Sequence, residues 1–206
     1  MKTSPLNPTE FQLDALREYI GIGVGKAAAT LNSLIGRHIE LKVPEISIKY
    51  PEQLKSGQSD DHDLFSFVTL GFEGNLNGNA SMAFDRDSAK RLVSLLLPET
   101  EIVDTEMDAM SESTLTEVGN IVINSVMGSL SNCFSFDLNY FVPRYHEDLE
   151  GTLNESKVGE TALIIGETIL TVENCQIEGN IIIMFLVSDL KVLLDTWSEP
   201  SDIKYA

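Results

Sequence analysis

A carboxylate and a carboxamide three positions apart, Glu117 and Asn120 in the stretch "TEVGNIVINS", are the side chains in this sequence best placed to do chemistry together. On a helix such residues are surface neighbours with Cβ atoms about 5–6 Å apart, so both can reach one ligand group. They belong to a longer polar stripe: Ser113, Glu117, Asn120, Asn124 and Ser131, with Gly128 between. Spacings of three, four and seven keep these residues on one side of a helix. In a helix interior Gly costs about 1 kcal/mol and Asn roughly 0.5 kcal/mol or more relative to Ala. Exposed helix positions usually carry Lys, Glu, Gln or Ala instead. A solvated face explains the Glu but explains the Gly and Asn poorly. Small, hydrogen-bonding residues make a surface that another backbone can approach closely, and a groove between two helices of the same chain would use them as well.

The stripe occurs twice. Asp14, Glu18, Gly21, Gly25, Ala28 and Asn32 form the same face on an earlier helix, with Gly21 standing where Asn120 stands in the later copy. Glu18 and Glu117 lie 99 residues apart, as do Pro44 and Pro143, while Gly78-Asn79 and Gly179-Asn180 lie 101 apart. These spacings predict an internal duplication, with halves 1–105 and 106–206 joined through the acidic segment 97–110.

The elements that must hold the two stripes follow the same order in each half. Asn7 as N-cap, Pro8 at the first helical position and Glu10 three residues after the cap predict a helix start. Leu13, Leu16, Ile20, Val24, Ala27, Leu31 and Leu34 give an apolar stripe that Gly36 ends. Strand-like "IELKVPEISIKY" follows with Pro44 interrupting, then a polar loop over 56–63. Strands over 64–74 and 78–84, joined by "NLN", read as a hairpin, and 85–97 reads as a short amphipathic helix. The second half gives a long helix from Met107 with Leu115, Val118, Val122, Val126 and Leu130 inward, then extended chain over 134–143 and a charged loop. Strands over 160–172 and 178–187 and a last helix over 188–197, with Trp197 in the core, complete it. Hairpins between the strands deny a βαβ arrangement, so the expected fold class is α+β: one domain over 1–206, a pseudo-twofold antiparallel sheet with two long helices packed on it.

Composition narrows the function classes. With 43% hydrophobic and 22% charged residues the 206-residue chain has the make-up of a folded globular protein. A formal charge of -18, from 32 acidic and 14 basic residues, disfavours nucleic acid and anionic membrane as partners. Cys133 and Cys175 lie in apolar segments without CxxC spacing, which predicts buried thiols in a reducing compartment, the cytoplasm. No apolar run approaches the roughly 20 residues of a membrane span. "GIGVG" lies mid-helix rather than between a strand and a helix, so it is no phosphate loop. No GxSxG marks a nucleophile. His38, His62 and His146 show no ligand spacing, and the acidic run at 59–64 reads as a solvated loop.

The second stripe reads Ser113-x3-Glu117-x2-Asn120-x22-Pro143, and the first reads Asp14-x3-Glu18-x2-Gly21-x22-Pro44. The pattern Asp/Ser-x3-Glu-x2-Asn-x22-Pro resembles the signature of the CheC/CheX/FliY phosphatases, which dephosphorylate the chemotaxis response regulator CheY. The run "GIGVGKAAATLNSL" supports the likeness, and two halves in one chain are most similar to CheC. The resemblance implies that Asn120 enters the active site of the two-component receiver and holds the attacking water, while Glu117 pairs with the receiver's invariant lysine. Ser113 and Pro143 would be supporting parts. It also implies that this chain needs no cofactor or metal of its own, the receiver contributing its bound Mg²⁺. Hydrolysis of an acyl phosphate is largely positioning and electrostatics. A carboxamide supplies donor and acceptor without a charge that repels phosphoryl oxygens. The first site, lacking the Asn, is expected to be silent or weak. The rival expectation is a non-enzymatic CheC-like module that binds a phosphorylated receiver or a CheD-like deamidase. Which receiver is the substrate, whether CheD binds and whether the chain dimerises are not legible in the sequence.

Overall fold

The computed structural model describes residues 6–50, 65–97, 109–147, 161–172 and 175–197. Its first element, α1 (Glu10–Ile35), begins at Thr9 rather than at Asn7. Thr9 has the extended backbone of an N-cap; its hydroxyl accepts the Gln12 N–H at 3.2 Å, and the Gln12 side-chain oxygen accepts the Thr9 N–H at 2.9 Å. Gln12 also donates from Nε2 to the Leu194 carbonyl at 2.8 Å. A neutral amide can do both, whereas the carboxylate of Glu10 has no proton to give, so the cap settles two residues later than Asn7. Leu16, Ile20, Val24, Ala27 and Leu31 are buried as expected, whereas Leu34 in the last turn is 65% exposed. Gly36 closes the helix with φ +69, its N–H donating to the Asn32 carbonyl at 3.0 Å.

Strand β1 (Ile39–Lys49) slips register between Lys42 and Glu45, because Pro44 offers no N–H to its neighbour. Strands β2 (Phe65–Gly74) and β3 (Gly78–Asp85) form the hairpin. Helix α2 (Arg86–Leu96) follows, then α3 (Ala109–Phe134). The segment expected to be extended from 134 departs from that reading. The helix runs through Phe134, Ser135 turns the chain with φ +55, and two three-residue strands follow, β4 (Leu138–Tyr140) and β5 (Arg144–His146). Strand β6 (Thr161–Val172), β7 (Cys175–Leu186) and α4 (Val187–Asp195) complete the chain. The polar loop at 56–63, with His62, lies outside the described residues, as does most of the joint at 97–110.

Every strand pair is antiparallel, in the order β1-β6-β7-β3-β2-β4, with β5 also on β2. Read from either end the order is the same when strands of like position in the two stretches of chain are equated. It goes first, second, third, third, second, first. The opening strand of each stretch is exchanged onto the other: β1 pairs with β6, and β4 and β5 pair with β2.

The main core lies between this sheet and the helices, where Val68, Leu70, Met82, Phe84, Ile164, Ile181 and Ile183 meet the apolar sides of α1 and α3. Alternate residues of the same strands, Phe67, Ala83, Leu163, Ile165, Ile182 and Met184, form a second buried cluster on the reverse face. Burial of both faces explains why the run Ile181, Ile182, Ile183 and Met184 shows no polar alternation. At the helix crossing a Cβ on Gly23 would stand 2.5 Å from the Val126 Cα, so the backbones of α1 and α3 touch. Trp197 is half-buried, stacked on Tyr19 at 5.8 Å and tilted against Phe134 at 4.9 Å.

Asp85 caps α2, its Oδ1 accepting the Ser88 N–H at 2.8 Å. Burial by itself would raise this carboxyl. The Ser88 hydroxyl and amide, the Asp87 amide and the Arg91 charge together outweigh burial and hold it below the usual range. Asp85→Ala should therefore cost about 1 kcal/mol at neutral pH. A carboxylate lowered on folding contributes above its unfolded pKa of about 3.9, and the contribution fades as pH falls through the folded value. Denaturation of the two proteins from pH 7 to pH 3 checks this: their difference should shrink on acidification, and a constant gap would contradict it.

Candidate functional site

The apolar side of α3 fixes what its other side presents. Leu115, Val118, Val122, Val126 and Leu130 are buried. Gly119 lies so close to β2 that a Cβ there would meet the Val68 Cβ at 2.6 Å. Facing away, Ser113 and Glu117 are exposed, and Asn120 and Asn124 are half-buried. The Asn124 Nδ2 donates to the Asn120 Oδ1 at 2.6 Å. No described residue bonds the Glu117 carboxylate. Glu117 and Asn120 thus share one open helical surface with a carboxylate and a carboxamide nitrogen available to a docking molecule. The stripe of spacings pointed to Asn124, yet only the structure reveals its bond to Asn120.

Pro143 is half-buried between β4 and β5, which both pair with β2, the strand on which Gly119 rests. Two residues on, Tyr145 stands opposite Val68 with its hydroxyl 3.0 Å from the Ser66 Oγ. Burial chiefly pushes the Tyr145 hydroxyl up, the Ser66 bond opposes this, and the charges of Glu147 and Glu112 add to it. Glu112 belongs to the first turn of α3, which places that turn near β5. Sequence reading left β5 inside a charged loop and missed Tyr145.

The earlier stripe is open where the later one is furnished. Asp14 and Glu18 are exposed, Asp14 pairing with Arg17 at 3.0 Å, and Pro44 is exposed at the β1 irregularity. At Gly21 and at Gly25 a Cβ would meet nothing within 4 Å. The expected extension of this face to Ala28 and Asn32 is corrected: Ala28 is buried, and Asn32 bonds the Ile39 N–H and carbonyl. The chain doubling back into β1 draws these last turns inward. Ser131 in the later stripe is drawn in likewise beneath the turn, where Phe136 N–H donates to its carbonyl at 2.9 Å. Cys133 and Cys175 are free and half-buried rather than buried. His38 is exposed beside Glu40, and His146 sits half-buried in β5. Among the described residues no three His, Cys, Asp or Glu side chains gather into a metal-holding group.

The family described as "Chemotaxis phosphatase CheX" matches residues 66–165, a span that contains Ser113, Glu117, Asn120 and Pro143. "CheY-P phosphatase CheC" of Bacillus subtilis (strain 168) is 29% identical over 168 residues, covering 78% of this chain and 80% of that protein. The chain is similar in sequence to the CheC and CheX chemotaxis phosphatases. Among solved structures, Thermotoga maritima FliY shares the CheC-like fold with a TM-score of 0.73 at 21% identity, over 92% of this chain and 97% of its own. A chain of the CheX-CheY-BeF3-Mg+2 complex from Borrelia burgdorferi matches with a TM-score of 0.52 at 20% identity, over 82% of this chain and 99% of its own. No described helix of the chain is long and apolar enough to cross a membrane.

Proposed function

We propose that this chain is a protein aspartyl-phosphate phosphatase that acts on a phosphorylated CheY-like receiver in the cytoplasm. Glu117 and Asn120 on one open face of α3, within a CheC-like fold, are the observation that carries this reading. Two relatives support it, one named CheY-P phosphatase CheC and one solved with CheY, BeF3 and Mg+2. Glu117 pairs with the receiver's lysine and sets the docking register. Asn120 enters beside the phosphoryl group and holds a water in line with the leaving aspartate oxygen, while the Mg²⁺ stays on the receiver. Ser113 and Pro143 support the helix and the strands beside it. The chain works as one domain of two related halves. Its first site, with Asp14, Glu18, Gly21 and Pro44, lacks the water-holding group and is silent or weak.

Phosphate release from phosphorylated CheY and Mg²⁺, with and without the protein, tests the proposal. Faster release supports it. Slower release with a stable complex would instead identify the binding module. Glu117→Gln keeps the shape and removes the charge, so KM should rise about 10-fold with kcat nearly unchanged. An unchanged KM would remove Glu117 from the docking contact.

A further inference from the structure

We propose that Asn124 is a positioning residue for this reaction, holding the Asn120 carboxamide in one orientation before the receiver docks. The inference rests on the function proposed above and adds a residue with its own observations. The 2.6 Å bond from the Asn124 Nδ2 to the Asn120 Oδ1 joins residues four apart, the spacing at which helical side chains meet. Both side chains are half-buried, which limits competition from water for that bond. A carboxamide oxygen has two lone pairs and its nitrogen two protons. Asn124 takes one lone pair. The other can accept a hydrogen bond from the attacking water, and the two N–H groups of Asn120 are left to face phosphoryl oxygens. An exposed Asn held by nothing would sample several rotamers, and the productive one would have to be selected at each encounter.

The earlier helix supplies an independent comparison. Asn120 and Asn124 correspond, at the same offset of 99 that relates Glu18 to Glu117, to Gly21 and Gly25. Both carboxamides are missing together, and at neither glycine would a Cβ meet an atom within 4 Å. Crowding therefore does not account for the glycines. A helper whose only purpose is to orient Asn120 has no use where Asn120 is absent. Solvation alone predicts no such coupling, since Asn124 is a poor helix former whose replacement by Ala would favour the helix.

Asn124→Ala should lower kcat for the phosphorylated receiver by about 10- to 100-fold through misorientation, with KM changed less than about twofold. In the Asn120→Ala background the same substitution should have no further effect on kcat, because the two act as one unit. Asn124→Asp preserves size but cannot donate at neutral pH, and should fall with Asn124→Ala. Retention of the wild-type kcat by either single variant, or additive losses in the double variant, would overturn the proposal. A second measurement needs no activity: side-chain couplings of Asn120 in labelled protein should report one χ1 rotamer in the wild type and averaging in Asn124→Ala. Averaging already present in the wild type would also overturn it. Should the wild type prove inactive, the function fails while the rotamer measurement still decides whether Asn124 orients Asn120.

Discussion

Asn120→Ala should slow dephosphorylation of the receiver by about 10² to 10³, equivalent to about 3–4 kcal/mol, the usual loss when one preorganised hydrogen-bonding group is removed from a transition state. Docking through Glu117 survives the change, so the loss belongs in kcat rather than in KM. The first helix cannot compensate, because at Gly21 no side chain occupies the open space beside Glu18. Glu18→Ala should accordingly leave the rate nearly untouched. Steady-state phosphate release from the three proteins decides the matter. A chain keeping about half its rate without Asn120 would place the work in the first site and contradict the assignment.

Gly23→Ala should be among the most destabilising single-methyl changes in the protein, costing about 3 kcal/mol. The added carbon would sit 2.5 Å from the Val126 Cα, 2.8 Å from the Ser125 carbonyl oxygen and 3.0 Å from the Val126 nitrogen. All three are backbone atoms, so relief requires the two long helices to separate. For a chain of 206 residues such a loss lowers Tm by roughly 6–12 °C. Two positions earlier on the same helix the same substitution should have the opposite sign. Gly21→Ala meets nothing within 4 Å and should add about 1 kcal/mol through helix propensity alone. Thermal denaturation of the pair is a sensitive check, and equal Tm values would show that the crossing is looser than these distances say.

Periodic burial made the long helices legible before any coordinates: all five expected inward residues of α3 are buried, and Gly36 ends α1 in the left-handed conformation. Pro44 announced the irregularity in β1 because a missing N–H is a property of the residue itself. The reading failed where tertiary contacts choose between local options. Thr9 wins the cap from Asn7 because Gln12 can also reach the Leu194 carbonyl, a partner far along the chain. Leu34 continues an apolar rhythm yet lies outside, since the last turn of α1 overruns the core. Ser135 adopts φ +55, a conformation its side chain does not advertise, and the two short strands after it exist only because β2 offers them an edge. Of the candidate site, the placement of Glu117 and Asn120 on one face followed from spacing, whereas the orientation of the carboxamides depends on which groups bond each other.

The exchanged strands carry a consequence for how the molecule comes into being. Ile39 finds its ladder partner only when Val172 has left the ribosome, so an early stretch of chain must wait with its edge unmet. Either portion, cut free between Leu97 and Ala109, would leave one side of its own second strand unpaired, β2 losing β4 and β5 and β6 losing β1. Separately expressed fragments should stay insoluble alone and regain a common structure when mixed, which makes this architecture suited to conditional reassembly from two polypeptides.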